Sequence, residues 1–157
     1  MAEWCIVGAD GQLGQCLRDA LVAQGQSFVA LNRDALDITD SSAVHSKIQE
    51  LRPKFIVNAA AYTNVDGAED NVDAAHAVNC DGARNVAMAA QEVGATLFHI
   101  STDYVFNGNA TTPYVHDTPG DPRSVYGQSK WDGELAVIDA HPLGSVIVRT
   151  AWLYSAY

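Results

Sequence analysis

The first two dozen residues leave this chain few ways to fold. Trp4 to Val7 is a short apolar run, Gly8, Gly11 and Gly14 follow at a spacing of three, and Leu13, Cys16, Leu17, Ala20 and Leu21 recur at i, i+3, i+4, i+7 and i+8. The run reads as a strand, and the later period is that of a helix with one inward stripe, closed by Gly25. Glycines between the two permit a tight turn and close backbone approach. They also expose the first N–H groups and the positive dipole end of the helix, a seat for a pyrophosphate. The spacing is GxxGxxG rather than GxGxxG. Glycines at such a turn also serve packing alone, so the turn by itself fixes no function.

The same alternation continues. Ser27 to Leu31 reads as a second strand, Asp40 or Ser41 as the cap of a helix running to about Arg52, and Pro53 as its stop. Phe55 to Asn58 is a third strand. Val72 to Glu92 is expected to form one long helix with Val78, Gly82, Val86, Ala89 and Val93 inward and Gly94 at its end; Asn79 within it is read as support for nearby backbone. Thr96 to Ser101 is a fourth strand, Ser124 to Ala140 a helix, and Ser145 to Arg149 a last strand. Between them, Asn107 to Arg123 is rich in Gly, Pro, Thr and Asp and reads as an irregular loop bordering a site. Strands alternating with helices predict an α/β fold, a Rossmann-type doubly wound parallel sheet with helices on both faces and right-handed crossovers. Ligands bind such sheets at the carboxyl ends of strands, where Gly8, Ala60, Ser101 and Arg149 fall. With 157 residues the chain suits one domain, residues 1–157.

The chemistry is concentrated in two stretches, HISTDYVF from His99 to Phe106 and VYGQSK from Val125 to Lys130. Tyr126 and Lys130 lie four apart in a predicted helix and so share a face. There an ammonium is expected to lower the phenol's pKa and make it an acid at neutral pH, as a carbonyl reductase requires. Thr102 follows the fourth strand as a β-branched residue whose hydroxyl can donate a hydrogen bond. At the end of the second strand, where an acidic residue would bind the ribose 2′-hydroxyl of NAD, the chain has Asn32 and Arg33, a pair better suited to a 2′-phosphate. The expected cofactor is therefore NADPH, with NADH tolerated.

A formal charge of −10 without a Lys/Arg cluster argues against a nucleic acid or a membrane as partner. Cys5, Cys16 and Cys80 have no paired or metal-ligand spacing and read as buried thiols in a reducing, cytoplasmic setting. The five histidines carry no ligand spacing, and no metal site is expected.

Taken in order, GADGQLG, LDITD, VNAAAYTNVDGAE, NCDGARN, HISTDYVFNG, VYGQSK and RTAWLY resemble the extended short-chain dehydrogenase/reductase family, and within it the reductases of nucleotide sugars. The resemblance implies a dinucleotide held by Gly8, Gly11, Gln12, Leu13, Gly14, Arg33, Asp37, Ile38, Ala60, Ala61, Tyr62, Tyr126 and Lys130. Asp37 would accept from the adenine amino group, and Ile38 would pack on the ring. It implies catalysis by Thr102, Tyr126 and Lys130, sugar contacts from Thr102, Asp103 and Trp152, and a possible homodimer. Trp152 reads equally well as a core aromatic. Some members bind Mg2+ through glutamates, one on the first helix, where this chain has Cys16. Members also continue beyond RTAWLY into a C-terminal substrate domain, which the resemblance places outside this chain. Two other readings stay open: a dinucleotide-binding regulatory module like the regulatory subunit of methionine adenosyltransferase, and a nucleotide-sugar epimerase or dehydratase.

Overall fold

A computed structural model of the chain describes residues 2–157. Five parallel strands, β1 (Trp4–Val7), β2 (Phe28–Leu31), β3 (Phe55–Asn58), β4 (Thr96–Thr102) and β5 (Ser145–Thr150), form one sheet in the order 2-1-3-4-5. The strand order reverses between β1 and β3, which makes the carboxyl ends of those two strands the natural crevice.

The direction of each crossover decides which face each helix covers. Chain leaving β1 for β2 moves one way across the sheet, and every later crossover moves the other way. Right-handed connections therefore put α1 (Gln12–Ala23) on one face and the remaining long helices on the opposite one. The two apolar clusters follow this division. Leu17 and Leu21 of α1 pack on Ile6, Ala9, Phe28 and Ala30, whereas Cys5, Val7, Leu31, Ile56 and Leu97 point at α2 (Ser41–Leu51), α5 (Ala83–Val93) and α6 (Val125–Ala140). On the α1 face, Trp4 stacks on Phe55 at 4.5 Å and lies 6.2 Å from Phe98, while Val146 and Val148 beyond them are exposed.

The sequence boundaries hold closely for the strands, with Ser27 falling outside β2 and Thr102 and Thr150 extending β4 and β5. Asp40 caps α2 by accepting from Ala43 N at 2.9 Å, and Ser124 caps α6 by accepting from Gly127 N at 3.0 Å. Along α1, Leu21 is buried, Leu13, Cys16 and Leu17 are half-buried, and Ala20 is exposed, so the expected stripe is one residue too wide.

The larger correction concerns the long helix. Residues 65–70 form a separate helix, α3 (Val65–Asp70), capped by Asn64, and the segment after it is α4 (Val72–His76), a π-turn (Ala77–Gly82) and α5. The π-turn inserts an extra residue and shifts the inward face. Ala75 is buried ahead of it, Asn79 and Gly82 within it, and Ala83, Val86, Ala87, Ala89 and Ala90 after it, while Val78 and Val93 are only half-buried. Among the described residues no helix is long and apolar enough to cross a membrane.

Candidate active site

The glycine turn has two kinds of glycine. Gly8 adopts φ +82°, and a Cβ there would stand 2.5 Å from the backbone N of Ala60; a Cβ on Gly14 would stand 2.5 Å from the Gly8 carbonyl oxygen. Both positions exclude side chains because backbone presses on them. Gly11 differs, since the nearest atom to a Cβ there is 3.5 Å away. It occupies the N-cap of α1 without a capping side chain, so the N–H groups of Gln12, Leu13 and Gly14 open the helix without intrahelical partners.

A cleft runs over this turn. One end is lined by Asp10, Asn32, Arg33, Asp37, Ile38, Ala60 and Tyr62, the other by Gln12, Leu13, Thr63, Ile100, Tyr126, Lys130 and Thr150, and both ends touch Gly11, Ala59 and Ala61. At the first end, Asn32 donates to the Asp10 carboxylate at 2.9 Å, and Arg33 is exposed on the rim. Asp37 accepts from both the N–H and the hydroxyl of Thr39 at 2.9 and 2.8 Å. These bonds, N–H first, hold its carboxyl below the usual range, with the Arg33 charge acting the same way. Ile38 is buried against Gly82, where a Cβ would collide with its side chain at 2.6 Å.

At the other end, Lys130 is 2% exposed and donates to the Ile100 carbonyl oxygen at 2.6 Å. Burial pulls its pKa down to about 8, and the Glu134 carboxylate opposes that shift. Tyr126 is half-buried beside Thr102, with its ring edge-on to Tyr104 at 5.5 Å. Its phenol pKa is raised, first by burial, then by the Asp103 charge, with the Thr102 hydroxyl acting in the opposite sense. The sequence expectation that Lys130 depresses this pKa is therefore corrected for the chain alone. In a half-buried site desolvation of the phenolate outweighs the neighbouring groups, and the phenol stays protonated to higher pH.

Of the residues expected at the site, Gly8, Gly11, Gln12, Leu13, Arg33, Asp37, Ile38, Ala60, Ala61, Tyr62, Tyr126 and Lys130 line the one cleft. Thr102 is 7% exposed at the end of β4, where its hydroxyl lies 3.3 Å from the Asp103 carboxylate. Trp152 is neither core nor cleft wall: it is 92% exposed at φ +52°, just past β5. The thiols also depart from expectation. Cys5 is buried, with its pKa pushed up to about 12, but Cys16 and Cys80 are only half-buried. Among the described residues no three His, Cys, Asp or Glu side chains gather into a metal-ligand set.

Two further side chains support the site, and only the first has a trace in the sequence. The π-turn carries Asn79, whose side-chain oxygen accepts from Tyr62 N at 2.8 Å and whose amide donates to Tyr62 O at 3.0 Å and Ser129 Oγ at 2.9 Å. Ser129 in turn donates to Tyr126 O at 2.8 Å. This buried amide thus ties the cofactor-side wall after β3 to the helix that carries Tyr126 and Lys130, and Gly133 lets α6 close on it, since a Cβ there would stand 2.1 Å from Asn79 O. The second support is Glu69 of α3, which accepts from Val125 N, the first N–H of α6, at 2.9 Å. A lone Asn in an apolar helical run was the signal for the first; nothing in the sequence pattern links Glu69 to a helix 56 residues later.

A doubly wound sheet with a bare glycine turn under the middle of a cleft and a Tyr-x-x-x-Lys pair at one end of it defines an extended short-chain dehydrogenase/reductase fold. The family model described as RmlD substrate binding domain matches residues 3–157, and the chain belongs to that family. A dTDP-4-dehydrorhamnose reductase of Streptomyces griseus is 49% identical over 154 residues, covering 98% of this chain and 51% of the relative. A probable dTDP-4,6-dihydroxy-2-methyloxan-3-one 4-ketoreductase of Streptomyces antibioticus is 47% identical over 97% of this chain and 52% of its own length. The crystal structure of dTDP-4-dehydrorhamnose reductase from Bacillus anthracis, solved in complex with NADP, superposes with a TM-score of 0.96 at 44% identity, covering 100% of this chain and 56% of that one. The chain spans about half the length of the curated relatives it matches.

Proposed function

We propose that the chain is the dinucleotide-binding half of a dTDP-4-dehydrorhamnose reductase, which reduces dTDP-4-dehydro-6-deoxy-L-mannose to dTDP-L-rhamnose with NADPH. The observation that carries this reading is the single cleft joining the glycine turn to Tyr126 and Lys130. The residues fit a dinucleotide: a Cβ at Gly8 or Gly14 would collide with backbone at the cradle, and the first N–H groups of α1 are free for a pyrophosphate. Asp37 and Ile38 would hold the adenine, and Ala60, Ala61 and Tyr62 the backbone-facing side. Arg33 would meet a 2′-phosphate, favouring NADPH, while the Asp10 carboxylate beside Asn32 gives the 2′-hydroxyl of NADH an acceptor.

A bound reduced nicotinamide supplies hydride to the sugar C4 carbonyl. Tyr126 donates the proton to the carbonyl oxygen, a role for which its raised pKa keeps it loaded. Lys130, charged below about pH 8, holds the ribose hydroxyls and electrostatically favours the phenolate as the proton leaves. Thr102 donates a hydrogen bond to the developing alkoxide. Asp103 and Trp152 contact the sugar, and Trp152, fully in solvent here, would do so with a further wall supplied by the part of the relatives' length that this chain does not span. The Streptomyces antibioticus relative supports a second reading in which the sugar is another dTDP-linked 4-ketose. The relatives' names support a reductase over a regulatory module. A cytoplasmic homodimer, with Cys16 standing where some members carry a Mg2+-binding glutamate, completes the proposal.

The test is NADPH oxidation with dTDP-4-dehydrorhamnose in a polypeptide of the relatives' full length, with product identified by mass and NMR. Tyr126→Phe should lose at least about 100-fold in kcat while binding NADPH as tightly. Near-native turnover by that variant sinks the assignment of the proton donor, and turnover only of other 4-ketoses selects the second reading.

A further inference from the structure

Behind the cleft lies an ion pair, buried at its carboxylate and half-buried at its guanidinium, that the reaction as derived does not use. Glu134, 1% exposed, stands one helical turn after Lys130 on α6. Its carboxylate accepts from Ser101 Oγ at 2.5 Å and from Arg149 through Nε at 3.0 and 3.2 Å and Nη2 at 2.7 Å. Arg149, at the end of β5, extends this contact in the other direction. Its Nη1 donates to the carbonyl oxygens of His116 and Thr118 at 3.3 and 3.4 Å, and its guanidinium lies over the rings of Phe106 and Trp131 at 4.9 and 5.5 Å. A side chain with five fixed donors can bridge a carboxylate and two loop carbonyls in this way; a lysine has no such fork.

We infer that Glu134 and Arg149 are a positioning pair for the active site: Arg149 fastens the loop 107–123 to the sheet, and the Glu134 carboxylate it holds serves as the counter-charge of Lys130. One carboxylate thus links the loop beside the site to the cation inside it. The groups facing Lys130 are few. Tyr126 and Glu134 belong to its own helix, His99 and Ser101 come from β4, and Arg149 stands behind Glu134 from β5. From α4 and the π-turn, His76 and Cys80 meet α6 at Asp132. His99 is neutral, its pKa held low by burial and then by the Lys130 charge, while Glu134, one turn along the same helix and as deeply buried as Lys130, opposes the desolvation of the ammonium.

The inference deepens the proposed role of Lys130, but its test needs no substrate. The chain has three lysines, Lys47, Lys54 and Lys130, so 13C-lysine NMR follows each through its titration. In the native chain the Lys130 midpoint is expected at about 8. Glu134→Gln keeps the shape and the contact with Ser101 but removes the charge, and should lower the midpoint by roughly one unit or more. Arg149→Met frees the Glu134 charge from its partner and should raise it, while speeding amide exchange in residues 115–120. A pair that merely braces the fold would move both variants the same way, or neither, and either result overturns the inference. Should Glu134→Gln fail to fold, the sign in Arg149→Met alone decides: a rise supports the pairing, and a fall or no change refutes it. Opposite shifts combined with no NADPH binding would instead refute the proposed function and leave the pair standing.

Discussion

Gly8 separates the two costs that a side chain can impose on a turn. Its φ of +82° strains any L residue, and its Cβ would also sit 2.5 Å from Ala60 N and 2.7 Å from Ala59 C. Gly25, at φ +66°, carries the first cost only, since nothing lies within 4 Å of a Cβ there. Left-handed backbone costs roughly 1–2 kcal/mol for a non-glycine residue. Forcing an extra carbon into close-packed surroundings typically adds about 1–3 kcal/mol, and here the neighbour is backbone that cannot rotate away. Gly25→Ala should therefore destabilise the chain by about 1–2 kcal/mol and Gly8→Ala by about 2–5 kcal/mol, a large fraction of the usual stability of a domain. Relief by moving β3 away from β1 would also widen the cleft, so NADPH affinity should fall with Gly8→Ala and not with Gly25→Ala. Urea unfolding at constant m-value and a titration of nicotinamide fluorescence measure the two effects. Equal destabilisation by the two variants would refute the argument that Gly8 is required by contact with Ala59 and Ala60.

Three further outcomes follow from the same geometry. Lys130 has a pKa of about 8 folded and an ordinary value of 10.5, so between those pH values the unfolded chain binds more protons and folding stability rises with pH. Relative to Lys130→Met, the native chain should gain about 2 kcal/mol between pH 7 and 9.5 in urea unfolding, and a gap that stays constant would show that the ammonium is not desolvated. Asn79→Ala leaves both backbone groups of Tyr62 without their partners and should cost about 2–4 kcal/mol, read by thermal unfolding. Arg33→Ala should weaken NADPH binding about 10-fold or more while leaving NADH within about twofold; equal losses for both would move Arg33 out of the 2′-phosphate site.

The strands and the glycine turn were legible because each depends on short-range pattern. Trp4–Val7 is an apolar run ended by Gly8, Phe55–Asn58 one that follows Pro53 and closes on a polar Asn58, and Asp40 and Ser124 sit where a helix start needs an acceptor. The π-turn was not legible because helical periodicity averages over it: Gly82, Val86 and Ala89 fit a 3.6-residue stripe, and the extra residue shows only as the displaced burial of Ala75 and Asn79. The α3 helix was missed because its six residues carry almost no apolar period and are fixed by Asn64 at one end and by Glu69 reaching α6 at the other. Tyr126 and Lys130 were found from spacing, yet the direction of the Tyr126 shift depends on how far the ring is desolvated, a quantity set by Thr102, Tyr104 and the packing of α6 that no spacing encodes.

The uneven clothing of the sheet has its own consequence. Every anchor of the chemistry described here, from Asn79 through Ser129 to Glu134 and Arg149, lies on the face crowded by three helices, whereas the aromatic row of Trp4, Phe55 and Phe98 lies on the face that α1 only partly screens. Substitutions along that aromatic row can therefore change how readily the domain adheres to other surfaces with little effect on the cleft.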